Sequence, residues 1–204
     1  MPEVTSILLV GVGGQGTILV SSILSKGLVA AGYDVKMSEI HGMAQRGGSV
    51  STQVRFGAKV HSPIVGRGGA DILVAFETME AARWLPFLKP GGKVIVNDLE
   101  IPPAPVLMGR AAYPKGLLDI LRARFDATVV NAHRLAEEAG TPRVMNVVLF
   151  GALVEAAGLT GIDWEAVIAS TVKPAFLDAN IAAFRAGCRA AKAKAVTREF
   201  AATA

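Results

Sequence analysis

Ile7-Leu8-Leu9-Val10-Gly11-Val12-Gly13-Gly14-Gln15-Gly16-Thr17 decides the fold class of this 204-residue chain. Four apolar residues in a row, met at once by glycine, fit a strand buried on both faces rather than one with a wet side. Gly11 to Gly16 fit G-x-G-x-x-G, and Thr17 to Ala31 read as a helix stopped by Gly32. A strand before the glycines and a helix after them is the setting in which that motif carries meaning. The first glycine allows a tight turn, the second a close approach of backbone to ligand, and the third packing of helix on strand. The helix start offers free N–H groups and about half a positive charge to an anion. On the loop alone two readings stay open: a strand–helix turn without ligand, and a nicotinamide dinucleotide site. For the second, Glu39 lies 23 residues after Gly16, at the end of the second strand, where an acid would bind a ribose.

Outward from this stretch, short strands alternate with helices. Val35 to Ser38, Asp71 to Phe76, Lys93 to Asn97 and Thr128 to Asn131 read as strands, and so does Ser49 to Phe56, whose alternation gives it two distinct faces. Gly57-Ala58 suits a hairpin into Lys59-Val60-His61. Thr78 to Leu85 reads as a helix closed by Pro86, Lys89 to Gly92 as a turn, and Ile101 to Pro105 as a linker or extended edge. A helix starts at Pro114, with proline in its first turn, and runs to Arg124. His133 to Ala139, Arg143 to Ala157, Asp163 to Thr171 and Ala175 to about Lys194 complete a helical tail over about 143–194, and the last ten residues are expected to fray. The prediction is one α/β domain over residues 1–204: a Rossmann-like, open, mostly parallel sheet with helices on both faces.

Composition narrows the function. The hydrophobic fraction is 51% and the mean hydropathy +0.43, yet no stretch reaches the roughly 18 uninterrupted apolar residues of a membrane span. The richest stretch, Val144 to Leu159, contains Asn146 and Glu155. An apolar face covered by a partner accounts for the excess. A net charge of +4, from 21 basic and 17 acidic residues, is too small to argue for nucleic acid. The start lacks the basic region of a signal peptide. Cys188 alone makes neither an internal disulfide nor a self-contained iron–sulfur cluster, and a reducing cytoplasm is the expected compartment.

The segment Glu39-Ile40-His41-Gly42-Met43-Ala44-Gln45-Arg46-Gly47-Gly48-Ser49-Val50 is unusual for a dinucleotide fold. At the carboxyl end of its strand it would lie beside the first glycine loop. There the planar fork of Arg46 suits phosphate or carboxylate. These two loops, with Asp71 to Glu77, Tyr113-Pro114, Asn146 to Leu153 and Asn180 to Gly187, resemble the gamma domain of the 2-oxoacid:ferredoxin oxidoreductases over about residues 4 to 190. Within that family the pattern is most similar to the beta subunits of indolepyruvate ferredoxin oxidoreductases.

The resemblance implies a small subunit that is inactive alone. In that family a 2-oxoacid is decarboxylated on thiamine diphosphate, electrons leave through [4Fe–4S] clusters to ferredoxin, and coenzyme A takes the acyl group. This sequence has no Gly-Asp-Gly fingerprint and no cluster cysteines. Thiamine diphosphate, magnesium and the clusters are therefore expected on a large alpha subunit, in a heterotetramer of two alpha and two beta chains. Carried over by position, the candidate coenzyme A or cleft contacts are Gly11, Gly13, Gly14, Gln15, Gly16, His41, Gln45, Arg46, Gly47 and Gly48. No catalytic residue or metal ligand is expected on this chain alone. A stand-alone NAD(P) dehydrogenase using Glu39, and a purely structural subunit with a vacant loop, are the competing readings.

Glu77 and Asn97 fall at strand ends on the same crest and either line a pocket or cap helices and interfaces. Asn146 reads as a satisfied buried amide, His61 and His133 as exposed, and Cys188 as packing. Arg185, Arg189 and Lys192 form a basic stripe read as a solvated face. Trp84 and Phe87 belong to core or interface.

Overall fold

A computed structural model describes residues 4–40 and 47–202, the side chains of 194–202 excepted. Among the described residues six strands form one sheet: β1 (Thr5–Val12), β2 (Asp34–Ile40), β3 (Ser49–Gly57), β4 (Ala70–Ala75), β5 (Leu88–Asn97) and β6 (Asp126–Val130), in the order β2-β3-β1-β4-β5-β6. β1, β4, β5 and β6 are parallel neighbours. β3 is antiparallel to both β1 and β2, so it alone runs backwards and β2 points the same way as β1. The carboxyl ends of five strands therefore share one edge.

That edge carries the connections that matter. β1 leads through the glycine loop into α1 (Thr17–Ala30), and β4 into α2 (Thr78–Trp84). β5 leads into a segment holding the single-turn α3 (Ala104–Leu107), then α4 (Leu117–Arg124). β6 leads into α5 (Ala132–Glu138), and the tail is α6 (Met145–Ala157), α7 (Trp164–Ala169) and α8 (Leu177–Ala202). Alternation along the strands splits the core in two. Ile7 and Leu9 of β1, Val54 of β3 and Val74 of β4 pack against α1, α5, α6, α7 and α8. Leu8, Val10, Leu73 and Val94 pack against α2 and α4. Buried strands with both faces covered are what the continuous apolar runs require.

Several sequence expectations need correction. No strand follows Gly57: the chain leaves β3 irregularly, and the Val60 amide is taken by the Asp34 carboxylate at 2.8 Å. A central strand between two neighbours already has both edges paired, so no hairpin partner is needed. The turn at Lys89 to Gly92 is an irregularity inside β5, where the register to β4 shifts and Gly91 has a φ of 75°. Pro114 does not open α4; Gly116, with a φ of 71°, caps a helix that begins at Leu117. α8 runs past Lys194 to Ala202, through residues that include neither glycine nor proline.

The tail is held by a glycine crossing. A Cβ on Gly151 would lie 2.1 Å from the Phe184 carbonyl oxygen, and one on Gly187 would lie 1.9 Å from that of Val148. α6 and α8 thus touch backbone to backbone. Cys188 sits in this contact, its Sγ 3.4 Å from the Gly151 oxygen. Burial, and then the Glu155 carboxylate, push its thiol up to about 11. At pH 8 the folded chain should alkylate with iodoacetamide at least about tenfold more slowly than the urea-unfolded chain, since the thiolate is the reactive form. Equal rates, followed by mass spectrometry, would contradict this. Two members of the basic stripe are not simply solvated: Arg185 grips Glu165 of α7 with two bonds of 2.7 and 2.6 Å, and Lys192 lies 3.2 Å from Glu155. His61 is exposed, and His133 is half-exposed beside Glu137.

Candidate active-site crest

The two loops singled out in the sequence meet. The Gly13 amide donates to the Gly48 carbonyl at 2.8 Å, and the Gly47 amide donates back to the Gly13 carbonyl at 3.4 Å. This pair continues the β1–β3 ladder one step beyond Val12 and Ser49. It explains why small residues stand on both sides, because the two backbones must lie side by side. His41, Gln45 and Arg46 lie outside the described residues.

Within the glycine loop each position has a physical reason. A Cβ on Gly11 would come within 2.7 Å of Gln15 Oε1 and 3.0 Å of Phe76 Cβ. Gly16 is the cap of α1 in the left-handed region, with a φ of 81°, and a Cβ there would fall 2.4 Å from Asn146 Nδ2. Gly14, by contrast, is exposed and has open space where a Cβ would be. Among the described residues no side chain caps α1 and no acid stands in its first turn, so none of them compensates the positive end of the helix. Beside it lies a cleft of about 290 Å³ lined by Gly13, Gly14, Gly16, Ile18, Ile40 and Ser51, among others. Ser51 has a buried hydroxyl without a partner among the described residues.

Amide side chains brace the crest. Gln15 accepts from the Val12 amide at 2.7 Å and donates to the Phe76 carbonyl at 2.9 Å. Asn97 donates to the same carbonyl at 3.2 Å and accepts from the Ala132 amide at 3.0 Å. Asn146 donates to the Gly16 carbonyl at 3.2 Å. Asn146 is thus the satisfied amide expected, and it also fixes the loop.

Glu77 is fully buried and caps α2, its Oε2 accepting from the Glu80 amide at 2.8 Å. Its Oε1 accepts from the Ile101 amide at 3.1 Å and from the Tyr113 hydroxyl. Of the two readings for Glu77 and Asn97, bracing is what the contacts give. Burial, then the bond to Glu77, hold the Tyr113 phenol proton well above the usual tyrosine range.

Sequence reasoning quoted Tyr113 and Ser49 only as part of the family pattern, and gave no role to them or to Glu80. Ser49 donates to the buried Glu80 carboxylate at 2.5 Å, and Arg83 lies 3.1 Å from that group's other oxygen. Trp84 lies tilted against Phe87, at 47° between the ring planes, and packs against the second core cluster. Glu80, three residues after the capping Glu77, is at the position a capping box favours, which was the available signal.

Glu39 accepts from the Ser21 hydroxyl of α1 at 3.3 Å. A dinucleotide fold sets its ribose-binding acid on the strand next to β1. Here β3 intervenes and moves that acid one strand further out, about 4.8 Å, which weakens the nicotinamide reading.

A model of the family described as pyruvate ferredoxin/flavodoxin oxidoreductase matches residues 6–190. The chain belongs to this family. Among curated relatives, the indolepyruvate oxidoreductase subunit IorB of Pyrococcus horikoshii is 41% identical over 193 residues, covering 92% of this chain and 96% of the relative. The gamma subunit of keto/oxoacid ferredoxin oxidoreductase from Geobacter sulfurreducens PCA superposes with a TM-score of 0.72 at 25% identity, covering 94% and 98% of the two chains. The fold also recurs in 2-oxoglutarate:ferredoxin oxidoreductase from Magnetococcus marinus, solved with 2-oxoglutarate, coenzyme A and succinyl-CoA bound. That match has a TM-score of 0.71 at 22% identity and covers 95% of this chain and 32% of that one. This member of the pyruvate ferredoxin/flavodoxin oxidoreductase family is a small subunit of a 2-oxoacid:ferredoxin oxidoreductase. No helix among its described residues is long and apolar enough to cross a membrane.

Proposed function

We propose that this subunit forms the coenzyme A side of the active-site cleft in a cytoplasmic enzyme that oxidatively decarboxylates an aryl 2-oxoacid, indolepyruvate or another aryl pyruvate, to the acyl-CoA. The observation that carries the reading is the open cleft at the start of α1, lined by Gly13, Gly14 and Gly16, where none of the described side chains caps the helix. Free N–H groups at a helix start suit a phosphate. Ile18 and Ile40 suit the apolar parts of a pantetheine chain, and the unpartnered Ser51 hydroxyl suits one of its amides. Arg46 is assigned to a phosphate or carboxylate of the same ligand, by its fork and its place next to Gly47. The bound relative from Magnetococcus marinus makes coenzyme A the ligand to test first.

Thiamine diphosphate, magnesium and the [4Fe–4S] clusters belong, in this reading, to the large alpha subunit, with two alpha and two beta chains per complex and ferredoxin as acceptor. The residues present do not suit a cluster: the one cysteine is half-buried and turned to the Gly151 carbonyl.

The test is co-purification with the large chain, followed by assay with several 2-oxoacids, coenzyme A and ferredoxin. The pair should turn over aryl pyruvates fastest, and the small chain alone should show no turnover. Arg46→Ala should raise the KM for coenzyme A by roughly tenfold or more, the loss of a charge-assisted hydrogen bond being worth about 1.5–3 kcal/mol. An unchanged KM with intact assembly would favour a purely structural subunit, and turnover by the small chain alone would overturn the assignment.

A further inference from the structure

Residues 101–113 leave the crest and return to it, and both ends of the excursion are fastened to one atom. The Ile101 amide and the Tyr113 hydroxyl both donate to Glu77 Oε1, and the Tyr113 oxygen accepts from the Met79 amide at 3.1 Å. Between these points the segment folds on itself, through α3 and through the Arg110 and Ala111 amides on the Pro105 carbonyl. It is a compact arm with a rigid root, yet it carries Leu107 at 75% and Met108 at 66% exposure, the two highest values among the exposed large hydrophobics described. A fixed support for two apolar side chains that touch water has no use in the isolated chain, and such a patch marks an interaction site. From Ile101 to Leu118 the charged residues are Arg110 and Lys115, with no acid. The occupant must therefore offer an apolar socket edged by acidic groups.

We propose that the 101–113 arm docks the large subunit of the oxidoreductase, with Leu107 and Met108 as its anchors and the Glu77–Tyr113 latch as its support. The proposed function enters only in identifying that partner. Position favours the large subunit over a second copy of this chain. The root of the arm, Glu77, follows Phe76, whose carbonyl holds Gln15 of the glycine loop, so the arm is rooted on the same crest as the cleft. Anchoring there fixes the partner's register on the cleft rather than on a remote face.

The experiment measures binding, without turnover, by biolayer interferometry of the full-length chain on immobilised large subunit. Leu107→Ser with Met108→Ser should raise Kd by about tenfold or more, as truncation of central anchors does, with an unchanged circular dichroism melt. Arg110→Glu should slow association. Val29→Ser serves as control: this residue is 59% exposed at the opposite edge of the sheet, and its loss should leave Kd unchanged. A double variant that binds like wild type, or one that loses only self-association in sedimentation, overturns the proposal. A pair that binds through the arm yet oxidises no 2-oxoacid would leave docking standing and defeat the functional reading instead.

Discussion

Gly187→Ala should lower the melting temperature by roughly 6–12 °C, the shift that a loss of ~3 kcal/mol produces in a chain of this size. Two effects oppose each other. Alanine in a helix interior gains about 0.8–1 kcal/mol over glycine in propensity. Against that, its methyl group would sit 1.9 Å from the Val148 carbonyl oxygen and 3.0 Å from the Ala152 nitrogen. Those are backbone atoms and cannot rotate aside, so α8 must back away from α6, where every residue from Asn146 to Val154 is buried. Overpacking of a filled core costs about 1–3 kcal/mol and sometimes more, and this contact stands at the upper end because two helices must move. Gly161→Ala is the control: nothing lies within 4 Å of a Cβ there, and the melt should be unchanged. A Gly187→Ala melt within about 2 °C of wild type, or under 1 kcal/mol, would show that the crossing is slack.

Glu77→Ala should cost about 3 kcal/mol and release the arm. It strips the cap from α2, worth roughly 0.5–2 kcal/mol, and it orphans the Ile101 amide and the Tyr113 hydroxyl, each worth about 1–3 kcal/mol where water cannot replace the carboxylate. The sum is discounted because the arm side of the site opens to solvent. Hydrogen exchange should quicken across 101–113 and in the first turn of α2. Tyr113→Phe separates the two effects, since it frees the arm and spares the Glu77 cap; exchange should then quicken in 101–113 and at the Met79 amide, from which the phenol oxygen no longer accepts, but not at the capped Glu80 amide. The phenol also sets an alkaline limit. Its pKa is raised in the fold above the usual 10.0, so its contribution to stability is complete below about pH 10 and declines as pH rises from there towards the native value. The wild-type melting temperature should bend downward above that pH, and that of Tyr113→Phe should bend less.

What could be read from the sequence was local. The run Ile7 to Val10, the glycines after it and the pattern of α1 announce strand, turn and helix through chemistry within a few residues of one another. The alternation of Ser49 to Phe56 announces a two-faced strand, but alternation says nothing about neighbours, and the insertion of β3 between β2 and β1 follows from pairings the sequence does not display. Pro114 fits a first helical turn as well as it fits a position two residues before a left-handed glycine, so the start of α4 was placed too early. The candidate site divides in the same way. That the two glycine loops face one another follows from strand direction, whereas the roles of Glu77 and Tyr113 depend on a contact spanning 36 residues. Gln15 was singled out by the motif, yet its amide is occupied within the fold, and the cleft is left to the groups beside it.

The Phe76 carbonyl has a consequence for which substitutions the crest tolerates. It receives two N–H groups, from Gln15 on one side and Asn97 on the other, and each of those amides uses its own oxygen for a main-chain amide of a different segment. Only a group that gives and takes at once can form such a link. Gln15→Glu and Asn97→Asp keep the shape to within an atom, yet an ionised carboxylate has nothing to donate and would set oxygen against oxygen at residue 76. Two conservative-looking changes should therefore loosen the seam from the glycine loop to the start of α5.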